Sequence, residues 1–325
     1  MGSVRDAELP LLPRMGPRGP GASRALREDR LVRLAPAQGG WAKIGPKRRK
    51  ARLSIAIPSS LVSEVPHLRE KTRVVGQVAR AAAIYRVDAI HVYRDAPDES
   101  RLIRLILGYA ETPQYLRRRL YPKRPELQYA GVLPPLRTPH HPLEKRAENL
   151  DIGEPREGVV LAEEGDGFLV DVGVDRPLKA TGRAPSIGSR TTVRITETTP
   201  ELTGRFIRKR EVAQYWGYTV QIVGGGLGRL ASREEFDLTV ATSRHAPSFK
   251  QVEPQLRNSW IGAGNILVAF GSPRRGVGEI LAEDGQMIDD VFDFAVNMIP
   301  DQGTATVRTE EALHASLAIL NLLNA

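Results

Sequence analysis

Hydrophobic positions in the first half of the chain predict strands that alternate with helices. A short apolar strand runs from Leu53 to Pro58, and a second follows at Ala89–Tyr93. Between and after them, apolar residues at helical spacing predict helices over Leu68–Tyr85 and Glu99–Tyr109. Strands and helices in this alternation are typical of an α/β domain with a parallel sheet.

The pattern changes between residues 151 and 210. Short apolar runs at Gly158–Ala162, Gly167–Val172 and Thr191–Thr196 are separated by Gly, Asp and Pro and show no helical period. This rhythm predicts a small β-barrel inserted in the α/β domain. Phe168 is nearly its only aromatic residue, so the stacking platform of a barrel that binds single strands is thin. Whether the barrel binds RNA is left open.

The α/β pattern resumes after residue 211 and continues to the end of the chain. A final helix is predicted over Thr309–Leu323, with Thr309 as its N-cap and acidic residues in its first turn. Strands are predicted over Trp216–Val223, Phe236–Thr242, Ile266–Phe270 and Asp293–Met298. The predicted organisation is an α/β domain built from residues 52–150 and 211–325, a barrel inserted at 151–210, and a disordered basic tail over 1–51.

Positive charge is concentrated in two segments of the chain. The formal net charge is +9, and residues 1–52 carry 13 Lys and Arg against four Asp and Glu. Residues 101–146 carry ten basic residues against three acidic ones. Clustered positive charge neutralises phosphates and releases counterions, which indicates RNA or another nucleic acid as partner. For the tail alone, a merely solubilising extension is the alternative.

Composition excludes several classes of protein. The 325-residue chain contains no cysteine, which excludes disulfides and cysteine-ligated zinc or iron–sulfur sites. No apolar run approaches the roughly 18 residues of a membrane span, and the N-terminus lacks the apolar core of a secretory signal. His140-His141 has no further ligand candidates nearby. We therefore expect a cytoplasmic protein that binds neither membrane nor metal.

Three loops in the last third of the chain follow predicted strand ends. They are Ala241–Arg244, Phe270–Gly276 and Asn297–Thr306, and each contains small residues such as Gly, Ser or Thr. Ligands of open parallel sheets lie outside the carboxyl ends of the strands, and small residues let the backbone approach a ligand closely. The loops therefore predict one shared ligand pocket, although not which ligand it takes.

The sequence of these loops resembles the cofactor-binding loops of SPOUT methyltransferases, the knotted class IV enzymes that use S-adenosyl-L-methionine (SAM). The similarity lies in ATSR at 241–244, FGSPRRG at 270–276 and NMIPDQGTATVRTEEAL at 297–313. The N-terminal half resembles the archaeal and eukaryotic RNA uridine-N3 methyltransferase branch. That similarity lies in LSIAIPSS at 53–60, GQVARAAAIYRVDAIHVY at 76–93, PQYLRRRLYPKRPELQYAGVLPPLRTPHH at 113–141 and YWGYTVQIV at 215–223.

The resemblance implies a parallel-sheet domain tied in a trefoil knot, with an inserted barrel of the oligonucleotide-binding (OB) type. General topology rules do not favour a knot, so this expectation rests on the family alone. The family also implies a homodimer with SAM bound in the knot. The residues at the matching positions, expected to contact SAM, are Ala241, Thr242, Ser243, Gly271, Gly276, Asn297, Ile299, Pro300, Gly303, Thr304 and Thr306.

The implied reaction is methyl transfer to N3 of a uridine, in large-subunit ribosomal RNA by family analogy. Positioning is expected to supply most of the acceleration, and a cation near a uridine oxygen would help N3 lose its proton. Arg244 is the candidate for that cation, with a structural salt bridge as the alternative. Arg308 precedes the last helix and is expected to hold RNA phosphate or the partner subunit, with a structural role as the alternative.

A basic segment with aromatic residues is the candidate RNA-binding surface. Cations interleaved with aromatic rings and prolines suit phosphate contacts and base stacking, and a merely solvated helix face is the alternative. Two non-enzymatic functions compete with the methyltransferase: a catalytically inactive SPOUT-fold protein that binds RNA or assists ribosome assembly, and a SAM-binding regulator. The predicted RNA-binding residues are Arg117, Arg118, Arg119, Tyr121, Lys123 and Arg124, together with Arg308.

Overall fold

The computed structural model describes residues 45–183 and 185–324 of the chain. The strands in these ranges are β1 Arg52–Pro58, β2 Ala89–Tyr93, β3 Pro155–Glu164, β4 Gly167–Asp171, β5 Leu178–Thr181, β6 Arg190–Glu197, β7 Thr203–Ile207, β8 Thr219–Ile222, β9 Leu238–Thr242, β10 Asn265–Ala269 and β11 Phe294–Val296. The α-helices are α1 Leu68–Ile84, α2 Ser100–Glu111, α3 Gln114–Leu120, α4 Leu227–Ala231, α5 Phe249–Gly262, α6 Val277–Glu283, α7 Ile288–Val291 and α8 Thr309–Asn321. Short 3-10 helices cover Pro125–Leu127, Ala130–Val132, Ala147–Asn149, Lys209–Glu211 and Leu322–Asn324.

A six-stranded parallel sheet forms the larger part of the fold. Its strands lie in the order β11-β9-β10-β1-β2-β8, and each neighbouring pair is parallel. The strand β1 pairs on both sides, with Ile55 opposite Val268 of β10 and Ile90 of β2. The parallel sheet predicted from alternating strands and helices is confirmed.

Both faces of this sheet are covered, which explains the continuous apolar runs in its strands. Leu53 and Ile55 of β1 belong to a core that also contains side chains of α1, α2 and α8. Ala56, whose side chain alternates to the opposite face, belongs to a second core with side chains of α4 and α6. Such buried runs can be recognised locally, and the predicted bounds of the strand at Ala89–Tyr93 agree with β2.

A closed barrel of five strands lies between β2 and β8 in the chain. Its strands are arranged in the order β3-β4-β5-β7-β6; β5 pairs with β7 in parallel, and the remaining pairs are antiparallel. The sequence predicted β3, β4 and β6 but missed the other two strands. Each of those is four or five residues long with only two buried positions, too few for a period-2 pattern to stand out.

A buried ionic network joins the barrel to the sheet domain. Arg190 of β6 pairs with Glu111 at the end of α2, and its Nε donates to Glu157 of β3 at 2.6 Å. Trp216 and Thr192 also donate to Glu157. Desolvation by burial would raise the pKa of Glu111, but the charges of Arg190 and its other cationic neighbours outweigh that effect and hold the pKa well below its usual range. The junction is therefore ionised and fully paired.

The last part of the predicted tail packs against the sheet domain. The Arg48 amide donates to the Ala213 carbonyl at 3.0 Å, and the Tyr215 amide donates to Pro46 at 2.8 Å. The predicted boundary at residue 51 is therefore wrong, because these partners lie more than 160 positions away and the basic composition gives no sign of them. The remainder of the predicted tail, residues 1–44, lies outside the described residues.

Candidate functional site

The three loops with small residues meet at one edge of the sheet. They follow β9, β10 and β11, which are adjacent and parallel. The amide of Ser243 donates to the Val296 carbonyl at 3.0 Å, and the amide of Asn297 donates to Pro247 at 2.8 Å. The Asn297 side chain also donates to the Arg244 carbonyl at 3.0 Å. The first and third loops are thus held together by backbone groups and one amide side chain.

The second loop, Phe270–Gly276, is held by a side chain from another part of the chain. Arg275 pairs with Asp95, which follows β2, and with Glu283 of α6. The Asp95 side chain is 3% exposed and accepts a further hydrogen bond from Ser60. Within the loop, the Ser272 amide donates to the Arg275 carbonyl at 2.8 Å. The turn is therefore closed by its own backbone and anchored by a buried carboxylate.

Helix α8 begins against this second loop. The hydroxyl of Thr309 donates to the Gly271 carbonyl at 3.0 Å, and the N-cap of the helix is Arg308. The predicted N-cap at Thr309 is therefore wrong by one residue, because the hydroxyl that would cap the helix binds the neighbouring loop instead. Glu311 accepts from the Arg308 amide at 3.0 Å, which satisfies one amide at the start of the helix.

A cavity of about 550 Å³ lies among the three loops and the start of α8. This volume is within the range of about 300–1,000 Å³ for small-molecule sites. Apolar Phe270, Ile299 and Ala312 line it beside hydroxyl and backbone groups. Of the residues expected to contact the cofactor, those in the wall are Thr242, Ser243, Gly271, Gly276, Asn297, Ile299 and Thr306.

The other four expected contacts lie outside the cavity wall, although all are among the described residues. Ala241 is fully buried in the core beneath the sheet edge. Pro300, Gly303 and Thr304 are exposed in the third loop. A Cβ on Gly303 would meet nothing within 4 Å, so an alanine there fits without displacing a neighbour.

Several residues in the wall were not singled out by their sequence. Ser272 lies between the predicted Gly271 and Gly276, whereas Ser316 comes from the second turn of α8. The helical spacing of Ala312 and Ser316, four residues apart, was a signal that this face of α8 turns towards the loops. The anchor Asp95 gave no signal, because only the fold brings it to Arg275.

Arg244 lines the cavity and connects two of its loops. Its Nη1 donates to the Ala305 carbonyl at 2.7 Å, and its Nε donates to the Nε2 atom of His245 at 3.1 Å. The side chain is exposed, and within residues 45–183 and 185–324 no carboxylate pairs with it. The structural salt bridge considered as its alternative role is therefore not seen in the described part of the chain.

The predicted RNA-binding residues divide into internal and exposed ones. Arg117 donates to the carbonyls of Thr112 and Ala110 at 2.9 and 3.0 Å and lies 4.7 Å from the Tyr109 ring centroid. Burial lowers its pKa, so Arg117 holds the end of α2 and is not a free phosphate ligand. Arg119 pairs with Asp171 of the barrel at 2.5 Å.

The exposed members of this group surround a depression of about 790 Å³ on the side of α3. Half-buried Tyr121 packs edge-on against Tyr109, with ring centroids 5.3 Å apart. Arg308 lies elsewhere, exposed at the start of α8, and does not belong to this surface. The residues of the depression that were predicted to bind RNA are Arg117, Arg118, Tyr121, Lys123 and Arg124.

The adjacent histidines act as a structural pair. The rings of His140 and His141 lie edge-on, 4.3 Å apart, and the Nε2 atoms of both are within 2.9 Å of the Glu111 carbonyl oxygen. Burial lowers the pKa of His141 to about 3. Across the described residues, no group of three or more His, Asp or Glu is arranged to hold a metal ion.

No helix in the described ranges is long and apolar enough to cross a membrane.

Residues 52–320 match a family model whose description is "Putative RNA methyltransferase". A protein of Haloarcula marismortui is 38% identical over 288 residues, which cover 83% of this chain and 98% of that protein. The 28S rRNA (uridine-N(3))-methyltransferases of Mus musculus and Homo sapiens are 31% and 29% identical; the matches cover 84% and 90% of this chain and 76% and 84% of those proteins.

Proposed function

The chain belongs to this family of RNA methyltransferases, and we propose that it uses SAM to methylate N3 of a uridine in large-subunit ribosomal RNA. The cavity of about 550 Å³ among the three strand-end loops carries the proposal, because it has the size and mixed lining of a cofactor site. The ribosomal substrate and the atom N3 rest on the names of relatives that match 84% or more of this chain. The same names favour a catalyst over an inactive RNA-binding protein.

The cavity wall suits the parts of SAM. Phe270 and Ile299 offer apolar contact to an adenine ring, and the hydroxyls of Ser272 and Thr306 offer partners for polar atoms. A Cβ on Gly271 would lie 2.7 Å from the Arg275 carbonyl oxygen, so the loop keeps its tight turn only with glycine there. When bound, SAM supplies a methyl group on a positively charged sulfur, from which a nucleophile displaces it.

The chain's own residues have to orient the uridine and favour loss of its N3 proton. With SAM bound, N3 of the uridine would release its proton to water and take the methyl carbon, and the sulfur would leave as a neutral thioether. Arg244 is the proposed cation for this step: its Nε and Nη1 donate within the protein. Its remaining N–H groups supply donors for a uridine carbonyl oxygen, where negative charge develops.

We also propose the finer features of the fold that the family implies. The trefoil knot is proposed from the family resemblance, and the contact of Thr309 of α8 with the Gly271 carbonyl of the second loop is compatible with it. An OB-type barrel is supported by the five-stranded closed order with one parallel pair. The homodimer and the cytoplasmic location are proposed from the family resemblance.

The test incubates the purified chain with methyl-labelled SAM and unmodified large-subunit ribosomal RNA transcripts, followed by nucleoside mass spectrometry. We expect label in 3-methyluridine. Arg244→Ala should lower the rate at saturating SAM by about 100-fold, the usual scale for one lost oxyanion donor. Absence of label, or label in another nucleoside alone, would contradict the proposed reaction.

A further inference from the structure

Two arginines of α2 face a second large cavity, which shares no lining residue with the cavity at the strand-end loops. Arg101 and Arg104 are exposed and line a cleft of about 870 Å³ between α2 and the barrel. They are one helical turn apart, about 4.5 Å along the axis, so both side chains reach the same face. Within the described ranges of the chain, no carboxylate forms an ion pair with either of them.

The carboxylates of this cleft are already neutralised. Glu111 and Glu157 both line it, and both pair with Arg190. Lys209 lies 3.6 Å from Glu111 as well. The two acidic groups are thus matched by two cations within the cleft wall. Arg101 and Arg104 form no ion pair with the carboxylates of the cleft wall, and Asp98, whose charge acts on Arg101, lies outside that wall. The cleft is therefore positive.

The cleft continues into the depression beside α3. Tyr121 and Arg124 line both cavities. Gly108 of α2 allows this continuity, because a Cβ there would lie 2.9 Å from the Tyr121 hydroxyl oxygen. Beyond Tyr121, the depression adds the exposed cations Arg118 and Lys123, which have no carboxylate partner among the described residues.

We propose that this surface, the basic track formed by Arg101, Arg104, Arg118, Lys123 and Arg124 around Tyr121, binds a single-stranded segment of the RNA substrate. The inference rests on the proposed function for its ligand. These five cations have no ion-pair partner among the described residues, and such a cluster attracts the phosphates of an RNA backbone. An aromatic ring in the middle of the track gives a base a surface on which to stack, which a duplex with its bases paired inside does not use.

The sharpest measurement is the salt dependence of binding to a labelled 20-nucleotide single strand of oligouridine, followed by fluorescence anisotropy. Arg101→Ala with Arg104→Ala removes two phosphate contacts, so the slope of log affinity against log salt should become shallower by about 1.4. Arg69→Ala with Arg73→Ala is the matched control, since these arginines are also exposed on one helix, α1, but pair with Glu70 and lie outside both cavities. The control slope should equal that of the wild type.

A second variant tests stacking separately from charge. Tyr121→Leu should weaken binding about fivefold or more without changing the salt slope, because no phosphate contact is removed. Circular dichroism and thermal melting check that each variant is folded. If Arg101→Ala with Arg104→Ala keeps the wild-type slope, the track is wrong. If duplex RNA competes as strongly as the single strand, the single-stranded ligand is wrong.

These results separate the track from the methyltransferase proposal. If the wild type methylates RNA but the double variant has the wild-type salt slope, the methyltransferase proposal stands and the basic track is refuted. If the wild type transfers no methyl group but the double variant has the shallower slope, the basic track stands and the proposed reaction is refuted.

Discussion

Replacing Gly271 with alanine places a methyl group against the backbone of its own loop. The added Cβ would lie 2.7 Å from the Arg275 carbonyl oxygen and 3.1 Å from the Gly276 Cα. Both neighbours are backbone atoms, so no side-chain rotation relieves the overlap. The turn from Gly271 to Gly276 therefore has to open, and it forms one wall of the candidate SAM cavity.

The size of the effect follows from what the open turn loses. Overpacking of a tight site costs about 1–3 kcal/mol, and the hydrogen bond from the Ser272 amide to the Arg275 carbonyl, 2.8 Å long, contributes about 1 kcal/mol. SAM binding has to restore the closed turn against at least part of this cost. A cost of about 1.4 kcal/mol already weakens affinity tenfold, so we expect a loss of tenfold or more.

Isothermal titration of SAM into Gly271→Ala measures this loss directly. Gly262→Ala serves as the control, because a Cβ on Gly262 at the end of α5 meets nothing within 4 Å. We expect the control to bind SAM as the wild type does. The cost is below the usual global stability of about 5–15 kcal/mol, so the variant stays folded. If Gly271→Ala binds SAM with wild-type affinity, the second loop does not form the cofactor site.

Two further substitutions test the anchors of the fold and of the second loop. Glu111→Gln leaves Arg190 with one buried carboxylate instead of two, and should lower the free energy of unfolding in urea at pH 7 by about 3 kcal/mol. Because Arg190 outweighs desolvation and depresses the pKa of Glu111 below its ordinary 4.5, the wild type should lose this stability as pH falls below about 4.5. The variant should show a weaker acid dependence, and equal pH profiles would contradict the argument. Asp95→Asn removes the buried partner of Arg275 and should weaken SAM binding about tenfold, the equivalent of about 1.4 kcal/mol; RNA affinity by anisotropy should stay unchanged, and an equal loss of both would point to general unfolding.

The strands of the sheet could be predicted because each carries its own burial signal. Ala89–Tyr93 is buried at every position, and a continuous apolar run needs no knowledge of its partners. Helix α5 could not be found in this way. Only Leu256 and Trp260 are buried in it, and Pro254 lies within it, so its apolar stripe is too narrow to stand out from a polar loop.

The candidate site was predictable to the extent that it follows strand ends. Small residues after β9, β10 and β11 identified the loops, and the parallel order of the strands brings them together. The roles of individual cations were not predictable. Arg117 and Arg118 are neighbours in the sequence, yet one donates to the end of α2 and the other is exposed. That difference depends on which carbonyl groups the fold places beside each side chain.

Helix α2 carries both the exposed Arg101 and Arg104 and Glu111, the residue that pairs with the barrel. The barrel can therefore affect RNA binding through α2 even if no base stacks on the barrel itself. Phe168 packs edge-on against Phe206 within the barrel, with ring centroids 5.9 Å apart, and it lines neither the cleft nor the depression beside α3. Arg190 of the barrel pairs with Glu111 at the end of α2, while Arg104 and Arg101 lie about two and three turns before that end. The width of the cleft therefore depends on the ionic junction. In the basic-track proposal, the barrel acts as a rigid wall that fixes this width, and its acidic residues are neutralised where they would face phosphate.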